Sequence, residues 1–515
     1  MWRTTVFLSL LSLLSQLAQL ALQLVLARRF GTGFEVDAFV AASTGPNLFS
    51  SLLLAGAGQL LVPLLVREKE KSPGSYARAR GKLLKGAFGV SILLALFLSI
   101  STLGLQVFAP GLAGPSLDIG RTYLPWTAAA LPPAILSALL SQCHYAREKF
   151  LLPGFAGFFS TILVLSGFWF LSKDGGLLPL LYLQFAGNVF SALWLSFSEW
   201  REAPRSAKPG EAGPDLSVFS RRALLVTLGA ASARVNAATD RFFASFLGMG
   251  GLSILHYADR WIALTQAVLS LPLVTVLYTR MSERKTDSDL PGTSSREALQ
   301  AVLYLGLPLA TWTWVTAQDL ASFLLASSSS APQDPAAPVL LALSLRAYAP
   351  VLALAGVGSV LLRAFYVQES FWVPTVLGGI VPMVLNVLLD YLVLDPWGVV
   401  GLAAVTSFNA LAGLPVIAYL LEKKTPGVLT KELGLSVLRS CAASAFLFPL
   451  AASADYLLPG GETAATGERL LYMGILGPLV YLAGTRLLGS EEAREILAFR
   501  RLEAPPTTAP EVPAE

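Results

Sequence analysis

Runs of apolar residues long enough to cross a bilayer recur from one end of the chain to the other. A span needs about 20 such residues. Windows of that length fall near residues 4–27, 37–66, 82–109, 122–144, 151–172, 177–198, 218–247, 252–279, 297–325, 338–362, 371–394, 398–421, 435–457 and 467–488, which predicts about fourteen transmembrane helices. Inside hydrocarbon each segment must satisfy its own backbone, so the expected fold class is an all-α polytopic membrane protein. Composition agrees: of 515 residues, 54% are hydrophobic and only 14% charged, and the mean hydropathy of +0.62 exceeds what a soluble globule with a charged surface can reach.

The charges between the spans follow topology. Loops after even-numbered spans hold Arg67, Lys69 and Lys71, then Arg147 and Lys149, Arg201 and Arg205, Arg280, Arg284 and Lys285, and Lys423 and Lys424. Loops after odd-numbered spans hold only Arg28, Arg29, Arg121, Lys173 and Arg469. The positive-inside rule then places both termini in the cytoplasm. It also accounts for the net charge of +4 without nucleic acid, which is not an expected partner. Cys143 and Cys441 lie in apolar runs without metal-ligand spacing, and the two histidines, His144 and His256, form no cluster with carboxylates; no enzymatic centre and no cofactor are expected. The first apolar run reads as a retained helix, residues 327–338 as a flexible outer loop, and residues 503–515, rich in Pro and Ala, as a disordered tail.

The stretch from Arg234 to Arg260 carries charge where charge is costly, at about 2.5–3.5 kcal/mol per group in mid-bilayer. Arg234, Asp240, Arg241, Asp259 and Arg260 therefore imply a protein-lined, partly wet cavity. A repeat supports two halves around it. Ala27-Arg-Arg-Phe-Gly-Thr-Gly, between the first two spans, is echoed by Ala244-Ser-Phe-Leu-Gly-Met-Gly between the seventh and eighth, aligning Gly31 and Gly33 with Gly248 and Gly250. Six spans separate the copies, an even number, so both halves enter the membrane in the same sense. On the first span Gln16, Gln19 and Gln23 form a polar stripe, suited to sugar hydroxyls and water or to bonding between helices. Arg28 either meets an anionic ligand at the outer mouth or snorkels to headgroups. Asn386, Asp390, Thr406 and Asp240 offer oxygen ligands from three spans, a set that suits a hard cation such as Na⁺. The alternatives are that Asp390 faces the outer interface and that Asp240 pairs with Arg241 or Arg234.

The segments ARRFGTGFEVDAFVAASTGPNLF (residues 27–49), DRFFASFL (240–247) and YADRW (257–261) resemble the MurJ/MviN family of lipid II flippases, within the multidrug/oligosaccharidyl-lipid/polysaccharide exporter superfamily. The resemblance implies two pseudo-symmetric six-helix lobes, residues 1–200 and 217–422, followed by two helices over 432–490 that form a groove for a lipid tail. It also implies a bacterial inner-membrane location and alternating access for a polyprenyl-pyrophosphate-linked oligosaccharide. Arg260 matches a cavity arginine of the family, and Asp37 matches a motif aspartate whose other reading is a cap on its own helix. Gln16, Leu22 and Ser50 stand where the family usually has arginine, and Ala55 where it has glutamate. These departures leave two substrates, lipid II first and another undecaprenyl-linked glycan second, with a drug/cation antiporter of the superfamily as the third reading. The expected substrate-binding set is thus Arg260, Gln16, Gln19, Gln23, Arg28, Asp37, Ser50 and Arg234. The resemblance also completes the cation set with the carbonyl of Leu402, giving Asp240, Asn386, Asp390, Leu402 and Thr406 as a sodium site for a coupling ion.

Overall fold

The computed structural model describes residues 2–55, 57–100, 103–171, 176–202, 221–267, 291–326, 334–368, 370–460, 463–490 and 492, and every regular element among them is a helix. The first lobe comprises α1 (Trp2–Phe30), α2 (Phe34–Leu53), α3 (Ala57–Lys71), α4 (Pro73–Ile100), α5 (Leu103–Phe108), α6 (Gly114–Ala129), α7 (Leu131–Tyr145), α8 (Leu151–Leu171) and α9 (Leu178–Glu202). The second holds α10 (Arg221–Ala244), α11 (Gly251–Thr265), α12 (Pro291–Leu324), α13 (Ala337–Val367), α14 (Trp372–Thr375) and α15 (Val381–Lys424); α16 (Lys431–Ala445), α17 (Leu447–Leu457) and α18 (Thr463–Leu487) follow. Residues 217–220, 268–279 and 503–515 and most of the loop at 327–338 lie outside the described residues.

The expected spans appear in order, but several are built from two helices. The span expected at 122–144 breaks between α6 and α7, where Pro132 and Pro133 follow the junction; proline removes a backbone donor and disfavours helix in the residue before it. The pair at 371–394 and 398–421 turns at Gly398, whose φ of 54° and ψ of −138° interrupt α15. Hydropathy sums over a window and cannot see such breaks.

Small residues set the closest helix contacts, as expected where dispersion rather than water drives association. A methyl on Gly306 of α12 would come within 2.8 Å of the Ala353 Cα of α13. Residues such as Leu93, Phe97 and Phe170 point outward and suit acyl chains. The last helices lean on α12 through polar contacts: Arg469 pairs with Asp319 at 2.7 Å, and the Trp312 indole donates to the Met473 carbonyl at 3.1 Å.

The distribution of buried residues shapes the site. One large core draws on both lobes, joining Leu26, Val36 and Phe168 to Leu252, Leu345 and Leu402. These lie toward the end of the molecule that holds the α1–α2 turn. At the opposite end the cores separate, one with Leu65 and Tyr76 in the first lobe and another with Val302, Phe365 and Leu421 in the second. Among the described residues, the lobes therefore share a hydrophobic seam at that end only.

Candidate functional site

The two glycine turns meet at that shared end. Gly31 stops α1 with φ 56°, and Gly248 ends the 3-10 turn after α10 with φ 75°, a left-handed region in which glycine carries no Cβ penalty. Gly33 and Gly250 then occupy the N-cap positions of α2 and α11, so the repeated glycines hold the same places in both halves, though only Gly250 has a positive φ. Asp37 crosses between them. Its Oδ2 accepts from the Gly250 amide at 2.7 Å and its Oδ1 from the Ser253 amide at 2.8 Å. A carboxylate on the first turn of a helix is stabilised by unpaired amides and by the helix dipole. Tyr257 returns the contact by donating to the Gly31 carbonyl at 2.8 Å, and the Gly111 amide donates to Ser245 Oγ at 3.1 Å. Asp37 thus caps a helix of the other lobe rather than its own, which has no side-chain cap, and it does not line the cavity described next.

Beneath this clasp a cavity of about 350 Å³ opens mainly within the first lobe, among α1, α2, α7, α8 and α9. Ser50 on its wall lies about 20 Å further along α2 than Asp37, at about 1.5 Å per residue, which puts the cavity well into the span. Among the described residues, Arg260 of α11 is the only charged one lining it, and its Nη2 donates to Gln19 Oε1 at 2.5 Å. Ser50 and Leu22, two of the positions that lack the family's arginine, line it too. The remaining predicted residues lie elsewhere. Gln16 and Gln23 are not on its wall, and Gln23 Oε1 is buried with no hydrogen bond among the described residues. Arg28 stacks over the Phe323 ring at 4.3 Å, an arrangement that holds it against α12. Arg234 is exposed, and Arg241 pairs with Asp259 at 3.6 Å. Of the glutamine stripe, only Gln19 meets the cavity.

The second lobe holds a different constellation. α10 and the first half of α15 approach closely at glycine: a methyl on Gly379, in the π-turn before α15, would fall 3.2 Å from the Gly229 Cα. That contact fixes the register of the two helices, and further along it brings Asp240 beside Asn386 and Asp390. The Asn386 amide Nδ2 donates to Asp240 Oδ1 at 2.5 Å and to Asp390 Oδ2 at 2.8 Å. Thr406 Oγ1 reaches Asp240 Oδ2 at 3.3 Å and the Leu402 carbonyl at 3.4 Å. Asn386 and Asp390 are fully buried, so Asp390 does not face an interface, and neither aspartate forms an ion pair among the described residues. Asn409, unnoticed in the sequence, donates to Asn386 Oδ1 at 3.0 Å and orients that amide. Asp390 Oδ1 and Asn409 Oδ1 are buried with no partner among the described residues. Two carboxylates that share one amide do not both stay charged unless a proton or a cation lies between them, and an all-oxygen set with unused acceptors has the chemistry to hold a hard monovalent ion.

The cavity's other polar residues, among them Asn47, Ser160, Gln184 and Asn188, also escaped the sequence reading. Gln184 and Asn188 are four apart on an apolar span, the same signal that marked Asn386 and Asp390.

Comparison with known proteins follows the same outline. The family model for "Lipid II flippase MurJ" matches residues 26–459. The chain belongs to the lipid II flippase MurJ family. Relatives named as probable lipid II flippases MurJ include one from Vibrio cholerae, 26% identical with 96% of this chain and 98% of the relative covered, and one from Thermotoga maritima, 23% identical with 92% and 94% covered. The solved structure of a lipid II flippase MurJ in an inward closed conformation aligns with a TM-score of 0.71 at 19% identity, covering 96% of this chain and 98% of that one. An inward-facing multidrug resistance MATE family transporter of the MOP superfamily aligns with a TM-score of 0.62 at 13% identity over 82% and 96%. Membership in the MurJ family makes the chain an integral membrane flippase, and the solved structures share its helical fold.

Proposed function

We propose that this chain carries lipid II from the cytoplasmic to the outer leaflet of a bacterial inner membrane, with both termini in the cytoplasm. The observation that carries the reading is Arg260, the single charge among the described residues on a cavity that lies deep in the span and beneath a closed clasp. With the clasp on the outer side, the cores of the described residues are joined outside and separate inside, a shape that admits a headgroup from the cytoplasm. Arg260 then holds the pyrophosphate through charge-assisted hydrogen bonds, while the polyprenyl tail stays in the bilayer beside α16 to α18. Rocking of the lobes breaks the clasp and exposes the cavity outward. With the interior negative, outward movement of an anion is favoured by about 2.3 kcal/mol per charge per 100 mV.

Asp240, Asn386, Asp390, Thr406 and the Leu402 carbonyl would hold a sodium ion, which supplies positive charge between the two carboxylates and so favours the lobe arrangement in which they are close. A second substrate, another undecaprenyl-linked glycan, is favoured by Leu22 and Ser50, which line the cavity without the positive charge usual in the family. A drug/cation antiporter finds no support there, since no carboxylate among the described residues lines the cavity.

The test is flipping of lipid II in proteoliposomes containing purified wild type or Arg260→Ala. Loss of a charge-assisted hydrogen bond, about 1.5–3 kcal/mol, predicts a roughly 10- to 100-fold lower rate, with partial recovery in Arg260→Lys. An unchanged rate in Arg260→Ala would sink the proposal.

A further inference from the structure

We propose that Trp312 is a positioning residue for Arg260, carrying the seat of the last helix, α18, through α12 to the cavity arginine. On the flippase reading, on which this rests, it ties the helices beside the lipid tail to the group that holds the headgroup.

The link starts at a proline. Pro308 lies inside α12 and has no amide to offer the carbonyl one turn earlier, that of Tyr304. Helix α18 supplies the missing donor: the Tyr481 hydroxyl donates to the Tyr304 carbonyl at 2.7 Å, and the Tyr304 hydroxyl lies 3.1 Å from Thr485 Oγ1. One turn beyond the proline, the Trp312 indole donates to the Met473 carbonyl of α18 at 3.1 Å. A methyl on Gly477 would come within 3.3 Å of Trp312 Cδ1, so the ring lies close against bare α18 backbone. Helix α18 therefore fixes both the weak point of α12 and the indole that follows it.

The same ring meets α11. Trp312 and Trp261 stack with centroids 6.3 Å apart and planes 18° from parallel, within the range of a favourable aromatic pair. A buried indole usually donates to a partner; Trp312 does so, whereas Trp261 Nε1 is buried with none among the described residues. Trp312 is thus the anchored member of the pair, and Trp261 leans on it. Arg260 precedes Trp261, and the two side chains leave α11 about 100° apart, so a helix turned to keep the stack also keeps the guanidinium aimed at Gln19. Arg260 depends on that orientation. Its bond to Gln19 Oε1 is its one side-chain hydrogen bond among the described residues, and its Nε is buried without a partner there. The clasp pins the start of α11, and the tryptophan pair pins it near the other end.

Two experiments test the link. The first crosses Trp312 variants with Arg260→Ala in lipid II flipping by proteoliposomes. Trp312→Leu is expected to slow flipping about tenfold where Arg260 is present and less than about twofold in the Arg260→Ala background, because residues that act through one another are non-additive. Trp312→Phe, which keeps a ring against Trp261, should recover most of the rate. Equal losses in the two backgrounds mark a structural role and overturn the proposal. The second experiment needs no lipid II. Phenylglyoxal, a dicarbonyl that modifies guanidinium groups, is added to the full chain in nanodiscs, and modification of Arg260 is followed by peptide mass spectrometry against the exposed Arg121. Release from Gln19 in Trp312→Leu should raise the Arg260 rate about tenfold, and Tyr481→Phe, altered only on α18, about twofold, with Arg121 unchanged. An unchanged Arg260 rate in Trp312→Leu overturns the proposal; should that variant not fold, an unchanged rate in Tyr481→Phe does so. If wild type flips no lipid II, the flippase reading fails, and the labelling alone decides whether Trp312 positions Arg260.

Discussion

The first-lobe cavity and the second-lobe carboxylate cluster both place polar side chains where lipid surrounds the helices, and they satisfy those side chains in opposite ways. In the cluster, Asn386 bridges Asp240 and Asp390 while Asn409 holds Asn386, and two of these four residues are fully buried. In the cavity, Asn47, Ser50, Gln184 and Asn188 stand apart around open space, with Arg260 beside them. The contrast separates two kinds of ligand. A tight anionic cage matches a small cation that needs little room and much charge, whereas a roomier wall with one arginine and, among the described residues, no carboxylate matches a larger anionic ligand. The Asp37 clasp lies between them and belongs to neither.

The sharpest way to break the comparison is to remove charge from the cluster. Asp390→Ala takes one carboxylate away from a monovalent ion, worth about 4 kcal/mol at 4 Å and an effective dielectric of 20, so sodium affinity should fall on the order of 100- to 1000-fold. Thermal unfolding in sodium against choline chloride checks it, because a ligand that binds only the native state raises the midpoint. Wild type should be stabilised by sodium and Asp390→Ala should not. Gln184→Leu, which alters only the cavity, should keep the full sodium effect; if it loses that effect, the two chambers are not separate sites. A wild type indifferent to sodium removes the coupling-ion proposal.

A smaller effect is expected at the clasp. Asp37→Asn retains one acceptor oxygen but turns an NH₂ donor toward a backbone donor, so one of the two cross-lobe bonds becomes a mismatch. The cost of about 2–3 kcal/mol should raise the population with the clasp open roughly 30- to 100-fold. Labelling of Ser253→Cys by a membrane-impermeant maleimide, with and without Asp37→Asn, reads this directly. Sodium affinity in the closed state should not move, since Asp37 touches no residue of the cluster. Equal labelling rates in the two backgrounds would mean that Asp37 does not hold the lobes together.

Much of this architecture was legible because hydropathy and charge act along the chain. The spans and the repeated glycines are local properties, and the pairing of Asn386 with Asp390 follows from four-residue spacing on a helix. What escaped depends on which helices touch. Asp37 read as a cap for α2 because it sits in its first turn, yet the free amides within its reach belong to α11. Asn409 looks like any polar residue on an apolar span until α15 folds back at Gly398 and sets it against Asn386. The first-lobe cavity was the hardest to foresee, since its wall is assembled from α2, α8 and α9, and helical spacing within one segment does not say which other helices face it. Even the glutamine stripe misled in part: helical spacing put Gln16, Gln19 and Gln23 on one side of α1, and packing then turned only Gln19 toward the space it shares with Arg260.

The last test asks whether the clasp is graded by charge, as the contrast between the chambers implies for the whole molecule. Tyr257→Phe removes a neutral hydrogen bond to the Gly31 carbonyl and leaves the buried ring in place, so packing is retained and only the hydroxyl is lost. A neutral hydrogen bond contributes about 1 kcal/mol, and the clasp should open roughly fivefold more often, well short of the Asp37→Asn effect. The same Ser253→Cys labelling resolves the two. If Tyr257→Phe opens the clasp as far as Asp37→Asn does, then the carboxylate adds nothing beyond an ordinary hydrogen bond, and the lobes are held by shape and apolar contact instead of by charge facing a helix N-terminus.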